Sequence, residues 1–185
     1  MSGAEQPTLP SWRIPIILGL IVYVADQWTK AWAVATLGPE PFQRTLIVVD
    51  DWLRLIYTRN DGVAFGLFQG MPILFTTTSI LITIGAIYAY GRYLPHQVRL
   101  VQIAMGLVLG GAFGNITDRL RLSYVVDFIS VGWWPVFNVA DSAITTGVTL
   151  LAAYLIFVGD EPQPAPRPMP RDDGLLRELL SRDVD

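Results

Sequence analysis

The chain has 185 residues, a formal net charge of −3, and a composition that is 52% hydrophobic. Soluble domains rarely read so apolar, and a slightly acidic chain offers no electrostatic footprint for nucleic acid. With no cysteine and the single histidine His96, disulfides, thiolate metal sites, cysteine nucleophiles and paired-histidine zinc sites are all excluded; no metal and no cofactor are expected.

A helix needs about 20 apolar residues to cross a bilayer core of about 30 Å. The first such segment runs from about 14 to 34 and is interrupted by Asp26-Gln27-Trp28-Thr29-Lys30. Its apolar part has signal-peptide length, and Ala33-Val34-Ala35 resembles a cleavage site. Against cleavage, only Arg13 precedes it to set against Glu5, and the polar stretch separates the apolar run from the small residues. The segment therefore reads as a retained span. Next come Thr45-Leu46-Ile47-Val48-Val49 and Leu53-Arg54-Leu55-Ile56-Tyr57-Thr58-Arg59, rich in β-branched and aromatic residues and separated by Asp50-Asp51. They predict a small surface hairpin, with Asn60-Asp61-Gly62 as a turn.

Further spans are predicted over about 72–90, 98–117 and 139–158. Trp133-Trp134-Pro135, just before the last, suits the headgroup layer. From 159 onward the five prolines between Pro162 and Pro170 predict an extended linker. The rest of the tail is expected to be disordered.

Two aspartates stand out. Asp127 sits in the apolar run Tyr124-Val125-Val126-Asp127-Phe128-Ile129, and Asp141 opens the last span. A charge at mid-bilayer costs roughly 2.5–3.5 kcal/mol on insertion scales, and less near the headgroups. Two acids in one site can share a proton and activate a water. Asn138 and Asp141 are three apart and share a helical face; alternatively they are simply an N-cap and a first-turn acid. Asn115 and Asp118 repeat that spacing after a glycine-rich stretch, and Arg119 is placed either in a surface ion pair or against an anionic group. Asp26 and Lys30 are spaced for a helical ion pair. Lys30 also admits a role as general base for Ser142. Asn60 by itself is a turn residue.

Taken in order, five of these groups resemble the lipoprotein signal peptidases, the type II signal peptidases of bacteria. They are Asp26-Gln27-Trp28-Thr29-Lys30, Asn60-Asp61-Gly62-Val63-Ala64-Phe65-Gly66, Gly114-Asn115-Ile116-Thr117-Asp118-Arg119, Val126-Asp127-Phe128, and Phe137-Asn138-Val139-Ala140-Asp141-Ser142. Val63, where the family often has alanine, is a small departure. The resemblance implies an all-α membrane protein: a four-helix transmembrane peptidase domain over 1–158, with an extracytoplasmic β-cradle over about 43–68 between helices 1 and 2. Residues 159–185 would be a cytoplasmic tail.

It further implies an aspartyl endopeptidase of the bacterial inner membrane that removes the signal peptide from diacylglyceryl-modified prolipoproteins before the lipidated lipobox cysteine. Asp127 and Asp141 would be catalytic. Asn60, Asn115, Arg119 and Asn138 would line the substrate cleft, with Asp26, Lys30 and Asp118 as supporting polar residues. A loop around Asp127 would close over substrate. The implied partners are the prolipoprotein, membrane lipids and globomycin-type inhibitors; a monomer is expected. The resemblance also puts the termini in the cytoplasm and the site near the outer leaflet. Arginine and lysine counts, seven against six on the two sides, do not set orientation themselves.

Two other classes fit the bare pattern. A small transporter or proton channel would use the acids as a relay, and a non-catalytic scaffold would use them only as helix caps.

Overall fold

The computed structural model describes residues 11–39, 43–50, 52–62 and 71–158. Much of the proposed cradle's C-terminal part, with Val63 to Gly66, and the whole tail from 159 lie outside the described residues.

Among the described residues, four helices are long and apolar enough to cross a membrane. They are α1 (Arg13–Leu37), α2 (Pro72–Arg92), α3 (Arg99–Leu122) and α4 (Val139–Phe157). The order is α1, strands β1 (Thr45–Val49) and β2 (Leu53–Asn60), α2, α3, strand β3 (Val125–Val131), α4. The expected four-helix membrane bundle with a small β element is therefore present.

In lipid the apolar effect does not drive helices together, so close backbone approach by small residues does more of the work. α3 shows this as the central helix. A side chain on Gly110 would collide with the Gly19 carbonyl of α1, and one on Gly111 with the Ala140 carbonyl of α4. The other helices turn large residues outward, among them Ile16, Ile17, Leu20 and Ile21 of α1 and Leu81 and Ile82 of α2. In water such surfaces would aggregate; against acyl chains they are the solvent-facing side. α2 has α3 as its main helical neighbour.

One expectation needs correcting. Asp127 is not on a loop: β3 pairs antiparallel with β2, giving one three-stranded sheet of order β1-β2-β3. The cradle thus takes a strand from between α3 and α4, besides the hairpin between α1 and α2. α3 runs to Leu122, which puts Asn115 and Asp118 on one helical face, as their spacing predicts. β3 gains its pairing from β2, and alternation sorts its two faces. Val126 and Phe128 bury one face of β3 against Ala33 and Leu37 of α1 and Tyr57 of β2, which leaves Asp127 to the other face.

Candidate active site

The polar site lies where the C-terminal halves of α1 and α3 meet the start of α4 and the sheet. Its base is an ion cluster around Lys30. Lys30 Nζ is 2.9 Å from both Asp26 Oδ2 and Asp118 Oδ2, and it donates to Asn115 Oδ1 at 2.9 Å. All four residues are buried. A lone buried charge is very costly, so such groups persist only when paired and hydrogen-bonded.

Each acid also fastens a piece of backbone. Asp26 Oδ1 accepts from Ala140 N at 2.9 Å, taking one of the unpaired N–H groups at the start of α4. Asp118 Oδ2 accepts from Val126 N at 3.1 Å, tying β3 to α3. Gln27 Nε2 donates to Asp118 Oδ1 at 3.0 Å. Gln27 was present in the quoted motif without a role. A side chain on Gly114 would strike the Asp26 carboxylate, so glycine there makes room for the cluster.

Above the cluster stand three asparagines. Asn115 Nδ2 donates to Asp141 Oδ1 at 2.8 Å. Asn138 Nδ2 donates to Asp127 Oδ1 at 2.7 Å and lies 3.2 Å from Asn115 Oδ1. Asn60 Nδ2 donates to Asp127 Oδ2 at 2.8 Å, while its Oδ1 takes the Gly62 N–H at 3.2 Å. Asn60 is therefore both the turn residue and a site residue. Asn138 is the N-cap of α4 and forms a capping box with Asp141: Asp141 N donates to Asn138 Oδ1 at 2.9 Å, and Asn138 N to Asp141 Oδ2 at 3.3 Å. Asn138 therefore caps α4 and also bonds the Asp127 carboxylate.

Both oxygens of Asp127 and both of Asp141 thus accept a hydrogen bond. Asp127 is 1% exposed. Burial, followed by the like charge of Asp141, pushes its carboxyl up to about 7; the bonds from Asn60 and Asn138 and the charge of Lys30 oppose that rise. Arg119 lies within electrostatic reach of Asp141, Asp127 and Asp118. Its Nη1 reaches Ser79 Oγ of α2 at 3.5 Å, the long limit of a hydrogen bond.

The structure therefore gathers Asp26, Lys30, Asn60, Asn115, Asp118, Arg119, Asp127, Asn138 and Asp141 into one assembly. Ser142 and Lys30 are not joined: Ser142 Oγ donates to the Asn138 carbonyl at 3.0 Å. Among the described residues, no group of three or more acids and histidines forms a metal-holding cluster.

Sequence reading missed the neighbours across the sheet. Thr58 is the ladder partner of Asp127, and a polar cavity of about 490 Å³ lies beside it, lined by Pro39, Gln43, Tyr57, Thr58 and Arg59. Tyr57 Oη, Tyr124 Oη and Arg59 Nε form a cluster at 3.2 Å contacts. Alternation in β2 puts Tyr57 and Arg59 on one face, which was the available signal.

Comparison with known proteins shows the family and the fold. A family model described as signal peptidase (SPase) II matches residues 18–157. The lipoprotein signal peptidase of Moorella thermoacetica is 39% identical over 146 residues, covering 79% of this chain and 95% of that protein. That of Syntrophotalea carbinolica is 42% identical over 151 residues, with 77% and 91% covered. A solved bacterial membrane enzyme superimposes with a TM-score of 0.72 at 28% identity, covering 86% of this chain and all of the other. A second has a TM-score of 0.70 at 30% identity, with 83% and 99% covered.

Proposed function

Since the chain belongs to the signal peptidase II family, we propose that it removes signal peptides from diacylglyceryl-modified prolipoproteins, cutting before the lipidated cysteine with Asp127 and Asp141 as an aspartyl dyad. The observation that carries this reading is the asparagine frame: every oxygen of the two carboxylates receives a hydrogen bond, while burial pushes the Asp127 carboxyl up to about 7. An aspartyl dyad needs one acid and one base at the same pH, which requires unlike environments for like groups.

In the reaction, protonated Asp127 donates to the scissile carbonyl oxygen. The Asp141 carboxyl takes a proton from water, whose oxygen adds to the carbonyl carbon. The tetrahedral intermediate then collapses: Asp141 returns its proton to the cysteine nitrogen, the C–N bond breaks, and Asp127 recovers its proton from the nascent carboxyl group. Arg119, Asn60, Asn115 and Asn138 would form the substrate cleft, the three asparagines by holding the two carboxylates in place; Asp26, Lys30 and Asp118 hold the start of α4 and the strand that carry the dyad.

The substrate's lipid stays in the bilayer, so the site belongs at a membrane surface, and the arrangement fits the bacterial inner membrane with cytoplasmic termini and the sheet at the outer leaflet. α2 leans chiefly on α3, which supports lateral entry of substrate beside it.

The test is cleavage by purified protein of one prolipoprotein with and without its diacylglyceryl group. The proposal expects cleavage of the modified form at the bond before the cysteine and little of the other. Equal cleavage of both would remove the lipid requirement; cleavage of neither would return attention to the transporter and scaffold readings.

A further inference from the structure

At the end of β3 away from Asp127 lies a surface that the proposed reaction does not use. Trp52 in the β1–β2 turn and Trp133 and Trp134 just past β3 are 61%, 82% and 55% exposed. Exposed indoles usually signal a partner, because each carries a large apolar area with one polar N–H. These three are fixed by backbone. Gly132 N donates to the Trp52 carbonyl at 2.7 Å, and Trp134 N to that of Val131 at 2.9 Å. The rings of Trp133 and Trp134 meet edge to face with centroids 5.5 Å apart. With Val131, Gly132 and Phe137 they line an uncharged groove of about 400 Å³.

Beside Trp52 runs β1, whose Leu46, Ile47, Val48 and Val49 are all exposed. Edge strands facing water are normally defended by charge, proline or a bulge that twists them away. β1 carries no charged residue and no proline, and its only relief is a register shift between Ile47 and Val49. The patch also continues into the bundle: Phe137 of the groove leads directly to Asn138 and the start of α4, one of the four span-length helices.

We propose that Trp52, Trp133 and Trp134, with the aliphatic edge of β1, form a platform that seats the sheet in the headgroup–acyl boundary of the bilayer, phospholipid being the occupant of the groove. Tryptophan is enriched at this depth because its ring is amphipathic. The continuity with α4 and the uncharged lining of the groove favour lipid over a soluble protein partner, with exposed Asp50 of the β1–β2 turn left to the headgroup side. β3 then acts as a ruler: four residues separate Asp127 from Val131, about 14 Å at the usual strand rise. The platform fixes the height of the far end of β3 relative to the lipid, while the Asp127 end is tied to the bundle through Asp118 and Asn138. The inference concerns where the sheet sits and does not rest on the peptidase reading.

The chain has no cysteine, so single-site labelling tests this directly. Full-length Ile47→Cys and Trp133→Cys proteins each carry one nitroxide and are placed in phosphatidylethanolamine–phosphatidylglycerol vesicles, with Leu81→Cys on α2 as a lipid-exposed reference. Both labels are expected to collide more with oxygen than with a water-soluble nickel chelate, at a shallower depth than the reference. Higher collision with nickel would place the patch in water; low collision with both would show it covered by protein. Either result overturns the proposal.

Because Trp133→Cys removes part of the patch, the intact platform is read separately. In a Trp12→Phe, Trp28→Phe, Trp32→Phe protein, only Trp52, Trp133 and Trp134 of the six tryptophans remain. Their emission is expected to be quenched by lipids brominated near the glycerol end of the chains and shielded from aqueous iodide. Quenching by iodide without quenching by bromolipid would overturn the proposal.

Discussion

Asn138 bridges the two candidate catalytic aspartates: its Nδ2 donates to Asp127 Oδ1 at 2.7 Å, and its Oδ1 accepts from the Asp141 backbone N–H at 2.9 Å. One side chain thus starts α4 and joins the sheet's acid to the bundle's acid.

Substituting Asn138 separates those duties. Asn138→Ala loses the cap and is expected to cost about 1 kcal/mol, read as a lowered melting temperature. Asn138→Asp retains a good cap but removes the amide donor and adds a third carboxylate. Its activity is expected to fall about 10²-fold, the scale for losing one preorganised donor, while its melting temperature stays nearer the wild type than that of Asn138→Ala.

Asp127 gives a pH dependence. Its folded pKa is raised from 3.8 to about 7, so the folded state binds this proton more tightly than the unfolded chain does. Stability from this group is present below the unfolded value and is lost as pH rises through about 7. Asp127→Asn lacks that titration. The melting temperature of the variant minus that of the wild type is therefore expected to increase between about pH 4 and about pH 8. In the same window the wild-type kcat/KM should fall as pH passes about 7, because the dyad loses its shared proton.

Lys30 is the shared counterion of Asp26 and Asp118. Lys30→Met leaves two buried carboxylates unpaired, an imbalance that costs about 3–5 kcal/mol. Thermal unfolding should show a large loss, partly recovered when Asp26→Asn and Asp118→Asn are added. Were Lys30 instead a general base, the neutralised triple variant would fold well but stay as inactive as the single one.

Ser142 donates to a carbonyl in the first turn of α4. Ser142→Ala is expected to keep activity within about twofold and to lose no more than about 1 kcal/mol of stability. A loss as large as that from removing a nucleophile would favour a serine mechanism.

How much of this was legible in the sequence follows from what each element needs locally. The spans are written as continuous apolar runs, because lipid satisfies no backbone polar group. The hairpin is written in the β-branched and aromatic richness of Thr45–Val49 and Leu53–Asn60. β3 was not legible as a strand, since Tyr124-Val125-Val126-Asp127-Phe128-Ile129 gains its pairing from β2, far upstream, through contacts such as Thr58 with Asp127. The Asp26–Lys30 pair was legible from its spacing. That Asp118 is a second partner of Lys30, and that Asp118 also holds Val126 N, depends on how α1, α3 and β3 meet. Asn60 looked like a turn because its turn contact is local and its bond to Asp127 is not.

The central claim is that Asp127 and Asp141 together perform the cleavage. It is tested most directly by assaying wild type, Asp127→Asn and Asp141→Asn on one diacylglyceryl-modified prolipoprotein, with folding of all three checked by thermal unfolding. Asparagine preserves shape and removes the ionisable group. The account predicts cleavage by the wild type and none by either folded variant. Undiminished cleavage by a folded variant of either aspartate would contradict it.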